Sequence, residues 1–106
     1  MPTKLNKLVQ CADGFHMSVQ ANTTAYCHPR DDAGPYTQVE IGFPSMREDL
    51  LVPFAESPDS PTNTIYGWVP AQTVINVIAK HGGMIAGELP RGFPYIFAVG
   101  VQNKPI

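Results

Sequence analysis

The chain has 106 residues, of which 43% are hydrophobic and only 15% are charged, and its formal net charge is −2. This length and composition predict one globular domain over residues 1–106, with a core of its own. The basic residues form no block, the apolar runs are short and the first residues contain no apolar signal segment, so we expect no nucleic-acid partner, no membrane span and a cytoplasmic location.

The eleven Pro and nine Gly residues are scattered along the chain rather than repeated. Scattered turn formers favour short elements joined by turns and exclude a helical bundle. The first elements are predicted to be a β-hairpin, in which strands 5–11 and 15–21 are joined by a two-residue turn at Asp13 and Gly14. This turn fixes a register in which Cys11 faces His16. The apolar face in this register consists of Leu8, Ala12, Phe15, Met17 and Val19.

Further short strands are predicted after the hairpin, each bounded by turn-forming residues. They cover residues 36–43, 50–54, 64–69, 84–86 and 93–101. Pro53 confines the second of them to an edge or a bulge, because proline cannot donate a ladder hydrogen bond. Residues 55–63 contain two prolines, two acidic residues and no large apolar side chain. We therefore expect this loop to be mobile.

One helix is predicted over residues 70–81. Pro70 suits its first position, where the missing N–H has no intrahelical partner. Gly82 supplies the left-handed residue that ends the helix. The apolar stripe at helical spacing consists of Ala71, Val74, Ile75 and Ile78. One helix packed on an antiparallel or mixed sheet of five to six short strands is an α+β fold.

The predicted hairpin brings the Cys11 thiol beside the His16 imidazole, and Cys27 and His28 follow one loop later. Two thiols and two imidazoles would suit a tetrahedral zinc site. However, the spacing matches no established zinc module, and adjacent ligands seldom bind one ion. The same Cys–His pair could supply a nucleophile and its base, but no orienting group or oxyanion hole is identifiable. We expect free thiols, no metal or other cofactor, and no enzymatic activity.

The candidate binding residues are aromatic or lie in a charged loop. Tyr66 and Trp68 are two residues apart on a predicted strand, so both would point outward if the helix covers the alternate residues, Ile65 and Val69. Exposed aromatic and Arg side chains are enriched where partners bind. The loop after the hairpin adds an imidazole and a guanidinium. The predicted binding residues are Tyr66, Trp68, His28, Arg30 and Tyr36.

Three strings of the sequence, DGFHMSVQA, YCHPRDDAGPYTQVEIGFPS and YGWVP, precede a helix that ends in KHGG. Over residues 7–83 they resemble a family of small uncharacterised proteins encoded by tailed bacteriophages and prophages. The resemblance implies a bacterial cytoplasm and an accessory rather than a virion role, and it brings no activity and no functional residue. Small phage proteins of this kind often bind and inhibit a host protein, including defence systems, whereas others sequester signalling nucleotides.

The leading hypothesis is therefore a small phage accessory protein that binds a host protein. The alternative is a homodimer that binds a small ligand or a signalling nucleotide. In that case, Tyr and Trp would stack on the base, and Arg30, Arg47 or Arg91 would meet the phosphates. A hydrolase that depends on Cys or His ranks third.

Overall fold

The computed structural model describes residues 5–100 of the chain. Within this range, five strands form one antiparallel sheet with a single α-helix packed on it, so the predicted α+β fold is confirmed. The elements are β1 (Val9–Cys11), β2 (His16–Gln20), β3 (Gln38–Gly42), β4 (Ile65–Pro70), α1 (Ala71–Lys80) and β5 (Met84–Ala86). The strand order is β4-β3-β2-β1-β5, which makes β4 and β5 the edge strands.

Side chains alternate between the two faces of the central strands. Met17 and Val19 on β2 and Val39 and Ile41 on β3 are fully buried, whereas the residues between them are half-buried and mostly polar. The buried residues belong to one hydrophobic cluster with Val74, Val77 and Ile78 of the helix. Period-two alternation on the sheet and helical spacing on α1 therefore build one core.

Helix α1 begins at Ala71, and Pro70 is the residue before it rather than its first residue. The buried stripe includes Val77, while Ile75 of the predicted stripe is only half-buried. Gly82 has a φ of +90°, as expected for the residue that ends a helix. No helix within residues 5–100 combines the length and the apolar character needed to cross a membrane.

The hairpin loop has three residues rather than the predicted two. Gly14 has a φ of +96°, and its N–H donates to the Cys11 carbonyl at 3.0 Å. The Cys11 N–H in turn donates to the Phe15 carbonyl at 2.8 Å. Val9 therefore pairs with Met17, one residue away from the predicted register.

This shift moves every side chain of β1 to the opposite face of the sheet. Leu8 and Ala12, predicted to be buried, are exposed. Val9 and Cys11 are fully buried in their place. Cys11 consequently faces the core, while His16 lies on the outer face, so the predicted Cys11–His16 pair does not form.

The prediction of a strand over residues 50–54 is wrong. Val52–Phe54 is a short 3-10 helix that contains Pro53. The Phe54 N–H donates to the Leu51 carbonyl at 2.9 Å, which is a turn contact rather than a ladder contact. Proline fixes φ near the helical value and lacks a donor, so this segment favours a turn.

The predicted strand over residues 93–101 is also wrong within the described part of the chain, and Val101 lies outside the described residues. Phe97 forms one parallel bridge with Met84, and the Ala98 N–H donates to the Met84 carbonyl at 3.0 Å. Gly92 has a φ of +102°, and Pro94 has no N–H to donate. Both features prevent a continuous ladder.

Candidate functional site

Three of the five predicted binding residues are exposed and two are buried. Trp68 is 48% exposed, and His28 and Arg30 are exposed in the loop between β2 and β3. Tyr66 is fully buried and Tyr36 is only 7% exposed. The prediction that Tyr66 and Trp68 both point outward is therefore wrong for Tyr66.

A β-bulge in β4 separates these two aromatic side chains. The pairing with β3 places two residues, Gly67 and Trp68, opposite the single residue Glu40. Trp68 has a φ of +49°, in the left-handed region that large side chains rarely adopt. The extra residue interrupts the alternation of the strand. Tyr66 consequently turns into the core, where its hydroxyl donates to the Pro61 carbonyl, and Trp68 turns to solvent.

Trp68 forms one stacked unit with Tyr26 and Arg30, and we call these three residues the aromatic platform. The Tyr26 and Trp68 rings stack with their centroids 4.9 Å apart and their planes 18° from parallel. The guanidinium carbon of Arg30 lies 5.7 Å from the centroid of the Tyr26 ring. A Cβ at Gly67 would come within 3.3 Å of the Tyr26 Cβ, so glycine permits this close packing.

Hydrogen bonds fix the platform to the sheet and to its own loop. The Trp68 N–H donates to the Tyr26 carbonyl at 2.9 Å, and the Tyr26 N–H donates to Glu40 Oε1 at 3.0 Å. Nη2 of Arg30 donates to the Thr24 carbonyl at 3.0 Å. These bonds anchor the backbone of Trp68 and Tyr26 and the guanidinium of Arg30.

The acidic residue that follows Arg30 binds the backbone of its own loop. Asp31 Oδ1 accepts the Gly34 N–H at 2.9 Å and the Ala33 N–H at 3.0 Å. These two bonds hold the pKa of Asp31 below its ordinary value. The Tyr36 hydroxyl donates to the Asp31 carbonyl at 2.7 Å. Tyr36 thus shapes the loop from a buried position, and the predicted binding role does not fit it.

His28 joins this loop to the sheet through its backbone. Its N–H donates to the Gln38 carbonyl at 3.0 Å, and its carbonyl accepts the Thr37 N–H at 2.8 Å. The imidazole remains exposed. It lies beside the start of β3, in the loop that carries Tyr26 and Arg30.

The four residues of the predicted zinc set do not come together. Burial raises the pKa of the Cys11 thiol to about 11, which keeps it protonated. The Cys27 sulfur is buried and lies 3.2 Å from the Asn22 carbonyl. Residues 5–100 contain no group of three or more side chains placed to hold a metal ion. A thiol–imidazole pair for zinc or for hydrolysis has no support in this geometry.

A second polar cluster, which the sequence analysis missed, joins the hairpin loop to the end of α1. His81 Nδ1 lies 2.6 Å from Asp13 Oδ2, and His81 Nε2 lies 2.7 Å from Glu48 Oε1. Lys80 Nζ lies 3.0 Å from Glu48 Oε2. The Phe15 ring stacks on the imidazole with the centroids 4.1 Å apart. We call Asp13, Glu48, Lys80 and His81 the clasp.

The carboxyl groups of the clasp are stabilised in their ionised form. The Phe15 N–H and the His81 ring hold the pKa of Asp13 below its ordinary value. Burial raises the pKa of Glu48, but the Leu50 N–H, His81 and Lys80 lower it by more, so that it too is depressed. Both ring nitrogens of His81 face carboxylates, so neither is available to a substrate. The clasp therefore links the hairpin loop, the end of α1 and Glu48.

Comparisons of the chain with family models, with curated proteins and with solved structures find no match. Of the two clusters, only the aromatic platform presents a large aromatic side chain to solvent, that of Trp68, and it is the candidate functional site.

Proposed function

We propose that this chain acts by binding a protein partner through the aromatic platform. The platform combines Trp, Tyr and Arg, the three residue types that carry the most binding energy at protein interfaces. Trp68 presents about half of its surface, and Tyr26 and Arg30 support it from the loop. A contact surface that is already ordered loses less conformational entropy on binding, which favours affinity.

The backbone of Trp68 is the observation that carries this proposal. A non-glycine residue in the left-handed region costs of order 1–2 kcal/mol. Stacking on Tyr26 offsets part of this cost, but about half of the Trp68 surface stays exposed, and glycine would avoid the cost altogether. A large aromatic residue that is kept outward at such a position fits a contact made with another molecule.

The resemblance of the sequence to small phage and prophage proteins supplies the setting. On that basis, the proposed role is that of a phage accessory protein in the bacterial cytoplasm, and its proposed partner is a host protein. Inhibition of that protein, including an anti-defence role, is the form of action that the resemblance favours.

The substitution Trp68→Ala tests the proposal. The protein and this variant are compared in affinity capture from bacterial lysate, and the captured protein is then purified and titrated against both. Removing an anchor residue typically costs 2 kcal/mol or more, so we expect the Kd to rise about 30-fold. The variant should still unfold cooperatively, because Trp68 lies outside the core cluster.

Ile85→Ala provides the matched control. Ile85 is 48% exposed, as is Trp68, but it lies on β5 at the opposite edge of the sheet. Its truncation should leave the Kd unchanged. Equal affinity of the purified partner for the protein and for Trp68→Ala would remove the platform from the binding site.

Arg30 favours a second candidate function. Its guanidinium lies beside an exposed aromatic stack, where it could meet a phosphate while a nucleobase stacks on Trp68. Trp68 is the single tryptophan of the sequence, so its fluorescence reports directly on the platform. Saturable quenching by purified nucleotides, weakened by Arg30→Gln, would favour a nucleotide over a protein partner. A flat titration would leave the protein partner as the proposal.

A further inference from the structure

We infer that the clasp holds residues 45–50 closed with His81 as an imidazolium, so that acid releases this loop while the sheet remains folded. We call residues 45–50 the clasp loop. This inference does not depend on the proposed binding function, because it concerns a different region of the molecule.

The protonation state of His81 follows from its hydrogen-bond partners. An ionised carboxylate has acceptor atoms only. Oxygens of Asp13 and Glu48 lie 2.6 Å and 2.7 Å from the two ring nitrogens, so each nitrogen must carry a hydrogen. With Lys80, the clasp then contains two negative and two positive charges. This balance suits the buried pair of Glu48 and His81, where an unpaired charge would be strongly destabilising, whereas Asp13 and Lys80 are about half exposed.

The clasp loop depends on the side chain of Glu48. Glu48 is the only buried residue of the loop, and the other five are exposed. Its Oε2 accepts the Leu50 N–H at 2.8 Å, and its carbonyl accepts the Leu51 N–H at 2.9 Å. The same residue therefore fastens the loop to the end of α1 and shapes its turn.

The attachments at the two ends of the loop are independent of the clasp. Ser45 exchanges hydrogen bonds with the backbone of His16, at 2.8 Å and 3.0 Å. Leu51, at the other end, is fully buried in the core. Release of Glu48 would therefore open the loop between these two points without disturbing the strands.

The other ionisable groups near the clasp do not account for its response to acid. The Cys11 thiol, which lies near Asp13, has a pKa raised to about 11 by burial and by that carboxylate. Arg47 and Asp49, on the clasp loop itself, pair with each other at 2.9 Å and are exposed. Opening in acid is thus governed by Asp13 and Glu48.

The sign of the pH dependence follows from their depressed pKa values. A group whose pKa is lower in the folded state stabilises that state at neutral pH, and this contribution is lost as the pH falls through the folded pKa. The ordinary values are 3.8 for Asp13 and 4.5 for Glu48. The loop should therefore open at a pH below these values.

Glu48→Gln is the most direct test. Glutamine is uncharged and has one acceptor oxygen, so it cannot accept from His81 and also from Lys80 and the Leu50 N–H, as the two oxygens of Glu48 do. We expect amide hydrogen exchange at Leu50 and Leu51 to become about tenfold faster or more. Exchange in β3 should be unchanged. Asp49→Asn, on the same loop but outside the clasp, is the matched control and should leave the exchange of these amides unchanged.

Measurements on the unsubstituted protein keep the inference falsifiable if Glu48→Gln does not fold. Nitrogen-15 NMR should show both ring nitrogens of His81 protonated at neutral pH. On acidification, the amides of the clasp loop should lose protection before those of β3. A neutral His81 at neutral pH would overturn the inference, as would loss of protection in the loop and the sheet at the same pH.

Discussion

At the scale of single residues, the non-glycine positions with positive φ are informative. Within residues 5–100 there are two, Phe43 at +47° and Trp68 at +49°. Both are large aromatic residues, 53% and 48% exposed. Stacking on Tyr26 offsets part of the backbone cost at Trp68. A residue that combines backbone strain with an exposed apolar side chain lowers the stability of the isolated protein, so a substitution there can raise it.

We predict that Phe43→Gly stabilises the protein. Glycine removes the strain of the left-handed conformation, which is of order 1–2 kcal/mol. It also increases the conformational entropy of the unfolded chain, which lowers the gain by about 0.5–1 kcal/mol. We expect a net gain of about 0.5–1 kcal/mol in the free energy of unfolding, measured by urea denaturation. Phe43→Ala, which keeps the left-handed backbone, is the control and should give no gain. A clear loss of stability in Phe43→Gly would show that the ring makes contacts that outweigh the strain.

Among the helices and strands, the features that depend on local residue spacing can be predicted from the sequence. Helix α1 ends at Lys80, and Gly82 has the left-handed conformation expected just beyond a helix, because apolar spacing and a terminal glycine are local signals. The hairpin is also present, but Asp13 and Gly14 are compatible with a two-residue or a three-residue loop. The bulge at Gly67 and Trp68 has no comparable signature, since its cause is the pairing with β3. The length of the hairpin loop and the bulge in β4 together determine which side chains of β1 and β4 are exposed.

The substitution Gly14→Ala tests the left-handed residue of the hairpin loop. In Gly14→Ala, the added Cβ meets no atom within 4 Å, so its only cost is the φ of +96°. We expect a loss of about 1 kcal/mol in the free energy of unfolding, measured by chemical denaturation. Gly42→Ala is the control, because no positive φ applies there and the nearest atom, Ser18 Cβ, lies at an ordinary 3.7 Å. Equal effects of the two substitutions would contradict a left-handed loop residue at Gly14.

At the scale of the whole molecule, the decisive contacts join residues far apart in sequence. His81 meets Asp13 across 68 positions and Glu48 across 33. No periodicity connects such residues, so the clasp could not be predicted. The stacking of Tyr26 on Trp68 likewise has no local signature, because Tyr26 lies in a turn-rich loop and reaches Trp68 only through the fold. Trp68 and Arg30 could be selected because their residue types are characteristic of binding surfaces.

One hydrophobic core stabilises the whole fold. The core is one cluster of buried apolar side chains drawn from the strands, the helix and the loops. The radius of gyration is 13.1 Å, against about 13 Å expected for a compact domain of 100 residues. Cys11 and Cys27 are both buried and free. Their thiols therefore contribute to the core as small apolar groups rather than as a cross-link.

We therefore expect chelators and reductants to leave the midpoint of thermal unfolding unchanged. Scans with and without EDTA, and with and without dithiothreitol, should give midpoints within a few degrees of one another. A disulfide between Cys11 and Cys27 would close a loop of about 16 residues and contribute roughly 3 kcal/mol. Its reduction would then lower the midpoint by more than about 10 °C. A shift of that size with dithiothreitol, or loss of cooperative unfolding with EDTA that zinc restores, would show that burial of the apolar core does not suffice.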